Sequence, residues 1–249
     1  MTGRTVGEIV ADLHGAQKPS AGTPAYSRFV NRRIGRYLAA VAFLTGRTPN
    51  QVSLASGFCS LVGIALLATV EPSFPLALAV TALLVLGYAL DSADGQLARL
   101  RGGGSPLGEW LDHMIDCVKI VLLHSAVLIS FFRFGAFGND SVLLVPLAYL
   151  CVSAVMFFGL ILIDQLRRRH GGAKANVRGV SVLKSLLIAP TDYGVLCLVF
   201  LAFGRPGLFV VLYGALLLAN LVFLLAAIGK WYREMAALQP ATGSSEVRR

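Results

Sequence analysis

The chain has 249 residues, of which 56% are hydrophobic and only 14% are charged, and its formal net charge is +9. Because about a quarter of the residues in a soluble domain are charged, this composition excludes an ordinary soluble protein and indicates one integral membrane domain. The positive charge suits contact with anionic lipid headgroups, and we expect no nucleic-acid partner because no basic and aromatic module lies outside the apolar segments.

The first 47 residues contain no segment that could cross a membrane. Residues 1–23 are rich in Gly, Ser, Pro and Thr without periodicity and predict a flexible tail. Residues 24–47 alternate apolar residues with arginines, which predicts an amphipathic helix in the membrane interface. An ordinary solvated helix beside the membrane would show the same pattern. A short apolar core with a cleavage site is missing here, so we expect no signal peptide.

Six apolar segments follow, each near the ~20 residues that a membrane-spanning helix needs. They cover residues 53–70, 75–97, 109–132, 141–163, 183–203 and 207–229. The predicted fold class is therefore an all-α integral membrane protein, with six transmembrane helices preceded by an amphipathic juxtamembrane helix. The six helices form one domain over residues 48–230, and residues 231–249 form a C-terminal tail.

The distribution of Lys and Arg between the loops predicts the orientation of these helices. With a cytoplasmic N-terminus, only Arg133 and Arg205 fall on the far side of the membrane, and Lys119 lies within a span. By the positive-inside rule, both termini should then face the cytoplasm, which places the protein in the cell membrane as a multi-pass protein. Among the loops between the spans, residues 164–182 are the most basic.

The first span begins after Thr48-Pro49-Asn50. Pro49 suits the first turn of a helix, and Asn50 or Ser53 can cap the exposed amides there. A helix N-terminus at a membrane surface is also suited to bind an anion. The start of this span is therefore a candidate contact for a phosphate-bearing ligand.

Four aspartates flank the short loop between the second and third spans: Asp91, Asp94, Asp112 and Asp116. On a helix, the first two are about 60° apart and the last two about 40° apart, so each pair shares a face. The loop is a short glycine hinge, so we expect the two helices to be antiparallel neighbours whose aspartates converge. Carboxylates that close cannot all stay ionised without cations between them, and hard divalent metal is the natural partner.

Small residues and an arginine accompany these acids. Gly95, Ala98 and Gly108 leave clearance for a ligand close to the backbone, and Arg99 is placed to grip a phosphate. Helix capping could explain one or two of the aspartates, but not four at helical spacing. A cation transporter is the alternative from another class, although a transport pathway favours acids near the middle of the membrane and broken helices.

The pattern Asp91-x2-Asp94-Gly95-x2-Ala98-Arg99-x8-Gly108-x3-Asp112-x3-Asp116 resembles the complete signature of the CDP-alcohol phosphotransferase family. This resemblance implies a six-helix membrane enzyme, usually a homodimer, that transfers a phosphoalcohol group from a CDP-linked donor to a hydroxyl and releases CMP. It also implies two Mg²⁺ ions, with Mn²⁺ as the other candidate, bound by Asp91, Asp94, Asp112 and Asp116.

The same resemblance implies roles for individual residues. Asp116 would also be the general base for the acceptor hydroxyl, and Arg99 would offset the charge that grows during transfer. Further residues would receive the cytidine diphosphate: Gly95, Ala98, Arg99 and Gly108, with Asn50, Ser53 and Ser105. We leave His113, Asp164 and Asp192 outside this core site.

The choice of substrates rests on weaker signals. Chain length and the six-span plan favour the branch of the family that uses CDP-diacylglycerol and a small polar alcohol. Residues 105–113 instead resemble the aminoalcohol branch, which uses CDP-choline or CDP-ethanolamine and diacylglycerol. A phosphorylated acceptor would suit a cluster of cations near the fifth span, although topology alone predicts such a cluster: Arg167–Arg169, Lys174, Arg178 and Lys184.

Overall fold

The computed structural model of the protein describes residues 4–15, 23–135, 140–170 and 182–238. All regular secondary structure in these ranges is helical. The α-helices are α1 (Val6–Gly15), α2 (Arg32–Leu44), α3 (Pro49–Thr69), α4 (Phe74–Leu100), α5 (Pro106–Phe134), α6 (Leu144–Arg169), α7 (Val182–Leu187), α8 (Tyr193–Val199) and α9 (Pro206–Ala237). The all-α fold class is thus confirmed.

Five helices of the described residues are long and apolar enough to cross a membrane: α3, α4, α5, α9, and α6 together with the 3-10 turn before it. The predicted span 183–203 is not one continuous helix. It consists of α7, a 3-10 turn at Ala189–Thr191, α8 and a second 3-10 turn at Phe200–Ala202. Pro190 interrupts the helical hydrogen bonds, and Asp192 then starts α8 by accepting from the Gly194 amide at 3.0 Å. The predicted count of six spans is therefore not confirmed.

The predicted flexible tail contains a packed helix. Ile9 and Leu13 of α1 are fully buried and pack against Ala39 and Ala40 of α2 and against Leu97 of α4. Their spacing of four residues places both side chains on one face of the helix, which makes this packing possible. Residues 16–22 lie outside the described part of the chain.

The predicted amphipathic helix begins with one π-helical turn, Ser27–Asn31, and continues as α2. The buried face of α2 consists of small residues: Gly35, Ala39, Ala40 and Ala42. A Cβ at Gly35 would lie 2.8 Å from the Ser92 hydroxyl, so glycine lets α2 approach α4 closely. The helix ends at Leu44, and Gly46 just beyond it has a φ of 71°, in the left-handed region. This helix is therefore packed against the bundle, while its place in the membrane interface stays a prediction.

Capping serines and threonines followed by proline start three of the long helices. Thr48 begins α3 with a capping box, since its hydroxyl accepts from the Gln51 amide at 3.2 Å and Gln51 Oε1 accepts from the Thr48 amide at 3.1 Å. The cap is thus Thr48, and neither Asn50 nor Ser53 fills that position. Ser105 begins α5 by accepting from the Gly108 amide at 3.0 Å. These caps leave Asn50 and Ser53 available for other contacts.

Helix α3 holds the two aspartate-bearing helices together. Both α4 and α5 pack more closely on α3 than on each other, so they are not the directly packed pair that the short hinge predicted. The contact of α3 with α4 depends on small residues, because Ser56 Oγ donates to the Gly87 carbonyl at 2.8 Å. The bundle around α3 therefore determines where the aspartates meet.

Replacing Gly87 by alanine should lower the free energy of unfolding by about 1–3 kcal/mol through overpacking. A Cβ there would lie 2.2 Å from Ser60 Oγ and 3.1 Å from the Ser56 carbonyl oxygen, so α3 and α4 would have to separate. The measurement is the Tm of purified protein in detergent. Gly214→Ala is the matched control, because nothing lies within 4 Å of its new Cβ. Equal Tm values for both variants would contradict close α3–α4 packing.

Candidate active site

Four helix ends enclose a cavity of about 1130 Å³. Its wall combines the beginnings of α3 and α5 with the last turns of α4 and α6. All seven residues predicted to contact the nucleotide line this cavity: Asn50, Ser53, Gly95, Ala98, Arg99, Ser105 and Gly108. Three predicted metal ligands, Asp94, Asp112 and Asp116, line it as well. The structure thus brings the predicted residues to one place, although their roles stay predictions.

Three aspartates converge at the inner side of this cavity. Asp91, Asp112 and Asp116 each offer one carboxylate oxygen within 4.8 Å of the others. Their convergence follows from helical spacing on α5 combined with the packing of α4 and α5 on α3. A set of three partly buried carboxylate oxygens suits a hard divalent cation such as Mg²⁺ or Mn²⁺, because such ions prefer oxygen ligands. The residues present therefore fit the predicted metal.

Asp94 lies outside this group of three. It is the most buried of the four aspartates, at 6% exposed, and its carboxylate accepts a hydrogen bond from the Ser53 hydroxyl. This contact ties α4 to the first turn of α3. Ser53 was predicted to help hold the nucleotide, and in this structure its hydroxyl points to Asp94.

The structure adds Lys119 of α5 to the carboxylates. Its Nζ lies 2.8 Å from Asp91 Oδ1 and 2.6 Å from Asp116 Oδ1. The sequence contained a usable signal for this residue, since a lysine within an apolar span needs a partner and Asp116 lies three residues before it. Our prediction places Lys119 in the membrane span and gives it no role in the site.

Arg99 and Arg101 both line the cavity but have different surroundings. The Arg99 side chain runs back along α4 towards Gly95. A Cβ built at Gly95 would lie only 3.5 Å from Arg99 Nη1. Its Nε is buried without a hydrogen-bond partner among the described residues. Arg101 instead donates to the Arg47 carbonyl at 2.6 Å and lies over the Phe43 ring. Arg99 is thus the arginine whose hydrogen-bonding capacity remains for a ligand in the cavity.

Gly108 has a more specific role than general clearance. A Cβ at this position would lie 3.2 Å from Asn50 Oδ1 and 3.3 Å from Ser105 Oγ. Both contacts are tighter than ordinary van der Waals packing. Gly108 therefore lets the first turn of α5 approach the first turn of α3, and this contact closes one end of the cavity.

The last turns of α6 form a wall that the sequence did not predict: Phe157, Leu160, Ile161, Asp164, Gln165 and Arg168. Apolar residues occupy its deeper part and polar residues its outer part. Arg168 connects this wall to α5, since Nη1 lies 2.9 Å from Glu109 and Nη2 lies 2.6 Å from Asp164. An apolar stripe on a membrane helix normally faces lipid or core, so no local signal marks it as a cavity wall.

The predicted cation cluster is only partly present in the described residues. Arg167 faces away from the cavity and forms a bidentate pair with Glu234, at 2.5 and 2.7 Å. Arg168 lines the cavity but is paired as described above. Lys174 and Arg178 lie outside the described residues, as does the side chain of Lys184. Arg167 and Arg168 are both paired with carboxylates, so neither supports the hypothesis of a phosphorylated acceptor.

The three polar residues kept outside the core site have separate surroundings. His113 lines the cavity and lies 3.9 Å from Glu109, while Asp164 belongs to the α6 wall. Asp192 is buried away from the cavity, where it accepts from the Ser27 amide at 2.7 Å and from the Tyr88 hydroxyl at 3.2 Å. Asp192 thus anchors the segment before α2 to α4 and α8.

The sequence profile of the CDP-alcohol phosphatidyltransferase family matches residues 47–232 of the chain. The fold is similar to that of phosphatidylinositol phosphate synthase from Mycobacterium tuberculosis in two crystal structures. The complex with manganese and citrate has a TM-score of 0.54 and 18% identity, over 78% of this chain and 87% of that one. The complex with CDP-DAG has a TM-score of 0.52 and 20% identity, over 82% and 94%. No curated protein matches the chain.

Proposed function

The chain belongs to the CDP-alcohol phosphatidyltransferase family, and we propose that it moves a phosphatidyl group from CDP-diacylglycerol to the hydroxyl of a small polar alcohol. CMP is the second product. The observation that carries this proposal is the convergence of Asp91, Asp112 and Asp116 beside a cavity lined by the residues predicted to hold the nucleotide. The structurally similar synthase from M. tuberculosis, crystallised with CDP-DAG, supports the choice of donor.

Two divalent metals, Mg²⁺ or Mn²⁺, belong to this proposal. Asp91, Asp112 and Asp116 would hold them, and the family signature adds Asp94. When bound, such ions neutralise the diphosphate of the donor and acidify the attacking hydroxyl. The related structure with manganese supports this assignment. Removal of metal by a chelator is therefore expected to stop turnover.

The transfer is a displacement at phosphorus. The acceptor oxygen forms a bond to the phosphorus nearer the diacylglycerol, and the bond from that phosphorus to the CMP oxygen breaks with its electron pair on CMP. Asp116 takes the proton of the acceptor hydroxyl. Its position suits this role, because it belongs both to the cavity wall and to the carboxylate cluster. Arg99 would face the growing negative charge, and its Nε has no hydrogen-bond partner in the part of the chain that the structure describes.

The lining of the cavity suggests how the donor would bind. The nucleotide would lie between α3, α4 and the first turn of α5, where Asn50, Gly95 and Gly108 line the wall. The apolar residues of α6, Phe157, Leu160 and Ile161, form the opposite wall and suit the lipid portion of the donor. The acceptor would enter beside Asp116, and alcohols with or without a phosphate remain within the proposal.

The aminoalcohol branch is the second candidate, because residues 105–113 resemble it. In that reaction CDP-choline or CDP-ethanolamine is the donor and diacylglycerol is the acceptor. The same aspartates would serve, so the carboxylate geometry alone favours neither donor. The four aspartates alone would also suit a cation transporter. The family match favours the transferase over that alternative.

Orientation and assembly complete the proposal. The cavity lies at the helix ends that carry most of the basic residues, so the positive-inside rule supports an active site on the cytoplasmic side of the cell membrane. A soluble CDP-alcohol head joined to a lipid tail also suits that surface. We further propose a homodimer, on the resemblance to the family.

The test is to incubate the purified protein with Mg²⁺ or Mn²⁺, CDP-diacylglycerol and a panel of small alcohols, and to measure CMP and lipid product together. We expect both products to appear with at least one alcohol and to disappear after addition of EDTA. A parallel reaction contains CDP-choline or CDP-ethanolamine with diacylglycerol. Product in that reaction alone would contradict the donor assignment, and no CMP in either reaction would contradict the proposed function.

A further inference from the structure

Lys119 carries a buried ammonium group at the carboxylate cluster. Its side chain is only 5% exposed and lies one helical turn beyond Asp116 on α5. Burial of an ammonium costs several kcal/mol unless it is paired. The ion pairs with Asp91 and Asp116 supply that compensation, and in return the ammonium offsets the repulsion between the two neighbouring carboxylates. Lys119 therefore holds the cluster together in this structure.

The ammonium contacts the same carboxylates that a metal would use. Asp91 and Asp116 belong to the group of three with ligand oxygens within 4.8 Å, and Lys119 Nζ reaches one oxygen of each at 2.8 and 2.6 Å. A magnesium ion requires shorter distances, of about 2.0–2.1 Å. Lys119 and a bound metal would therefore be two cations that share the same two carboxylates, those of Asp91 and Asp116.

A divalent metal and the Lys119 ammonium, both held by Asp91 and Asp116, would repel each other strongly, because a buried site screens charge poorly. Lys119 contacts only one oxygen of each carboxylate, so a metal on the other oxygens would lie close to the ammonium inside the same buried cluster. The repulsion between the two cations is relieved when one of them gives way at one carboxylate at least. Since a metal carries twice the charge, Lys119 is the group that withdraws.

We propose that Lys119 is an internal competitor for divalent metal and a positioning residue of the active site. Without metal, its ammonium keeps Asp91 and Asp116 together; with metal, it leaves at least one of them. Lys119 thus lowers the affinity of the free enzyme for metal. This inference rests on the proposed function, because it assumes that the cluster binds metal.

The test compares Mn²⁺ affinity in the full-length wild type and in Lys119→Met, measured by calorimetry in detergent without nucleotide. We expect Lys119→Met to bind Mn²⁺ at least about tenfold more tightly, since methionine has similar size but no charge. Lys230→Met removes an exposed lysine on α9 and should leave the affinity unchanged. Equal or weaker binding by Lys119→Met would overturn the proposal.

Thermal unfolding separates competition from a merely structural role. Without metal, Lys119→Met should have a lower Tm than the wild type, because two carboxylates lose their counter-ion. With saturating Mn²⁺ the difference in Tm should close, since the metal supplies the missing positive charge. A difference that is the same with and without Mn²⁺ would assign Lys119 a structural role only.

A third measurement needs no variant and so covers the case in which Lys119→Met does not fold. In a structure of the wild type with Mn²⁺, Lys119 Nζ should lie more than about 4 Å, the limit of an ion pair, from Asp91 or from Asp116. Retention of both contacts beside bound metal would overturn the proposal. If the wild type binds Mn²⁺ and releases CMP while these results fail, only this inference is wrong. Absence of both metal binding and CMP release would contradict the proposed function as well.

Discussion

Replacement of Asp116 by asparagine should lower kcat by about 10²–10⁴-fold, the range typical for loss of a general base. Asparagine keeps the size of the side chain but cannot accept the proton of the acceptor hydroxyl. Binding of CDP-diacylglycerol should change little, because the residues proposed to hold the nucleotide, among them Arg99, Gly95 and Asn50, stay unchanged in the cavity wall. The measurements are CMP release and equilibrium binding of the donor, both at saturating Mn²⁺, since the substitution also removes one of the proposed metal ligands.

Asp140→Asn is the matched control for this substitution. Asp140 begins the 3-10 turn before α6, at the opposite end of the helix from the cavity. The control should keep wild-type kcat and wild-type donor binding. A small effect of Asp116→Asn on kcat, combined with a large loss of donor binding, would assign Asp116 to the binding of the donor and contradict its role as the base.

The arrangement of the aspartates could be predicted from the sequence because it depends on local geometry. The spacing of Asp112 and Asp116 places both on one face of α5, whatever the helix packs against. The short glycine hinge after Arg101 then limits how far α4 can lie from α5. Gly102 and Gly103 have φ values of 96° and 137°, so this turn needs glycine. The two constraints predict which aspartates share a face, whereas the packing of α4 and α5 on α3 determines where the carboxylates meet.

Features that depend on distant packing could not be predicted in the same way. The α6 wall requires the position of a helix that is some 40 residues later in the chain, and its apolar stripe looks like any lipid-facing surface. Asp94 shares the helical face of Asp91, yet its burial beside Ser53 keeps it out of the group of three. Helix spacing determines which side chains share a face, but not which partner each one contacts.

The N-terminal helix shows how composition can mislead. Residues 1–23 lack an apolar run and so predicted a flexible tail, yet two buried side chains are enough to hold α1. Ile9 and Leu13 pack on a surface that already exists on α2 and α4. A short amphipathic segment gains little from its own sequence and depends on such a surface to become ordered.

Replacement of Arg99 by alanine should lower kcat/KM for CDP-diacylglycerol by about 10–100-fold, because a hydrogen bond to a charged group contributes about 1.5–3 kcal/mol. Arg99 lies beside Gly95 with its Nε unpaired in the described structure, so a diphosphate is the natural acceptor of its hydrogen bonds. Arg99→Lys should recover only part of the loss, since lysine cannot form the bidentate contact.

Arg101→Ala is the informative comparison, because Arg101 lines the same cavity but donates to the Arg47 carbonyl. Steady-state CMP release measures all three variants, and an equal loss in Arg101→Ala would mean that the general positive charge of the cavity, rather than a specific contact of Arg99, binds the donor.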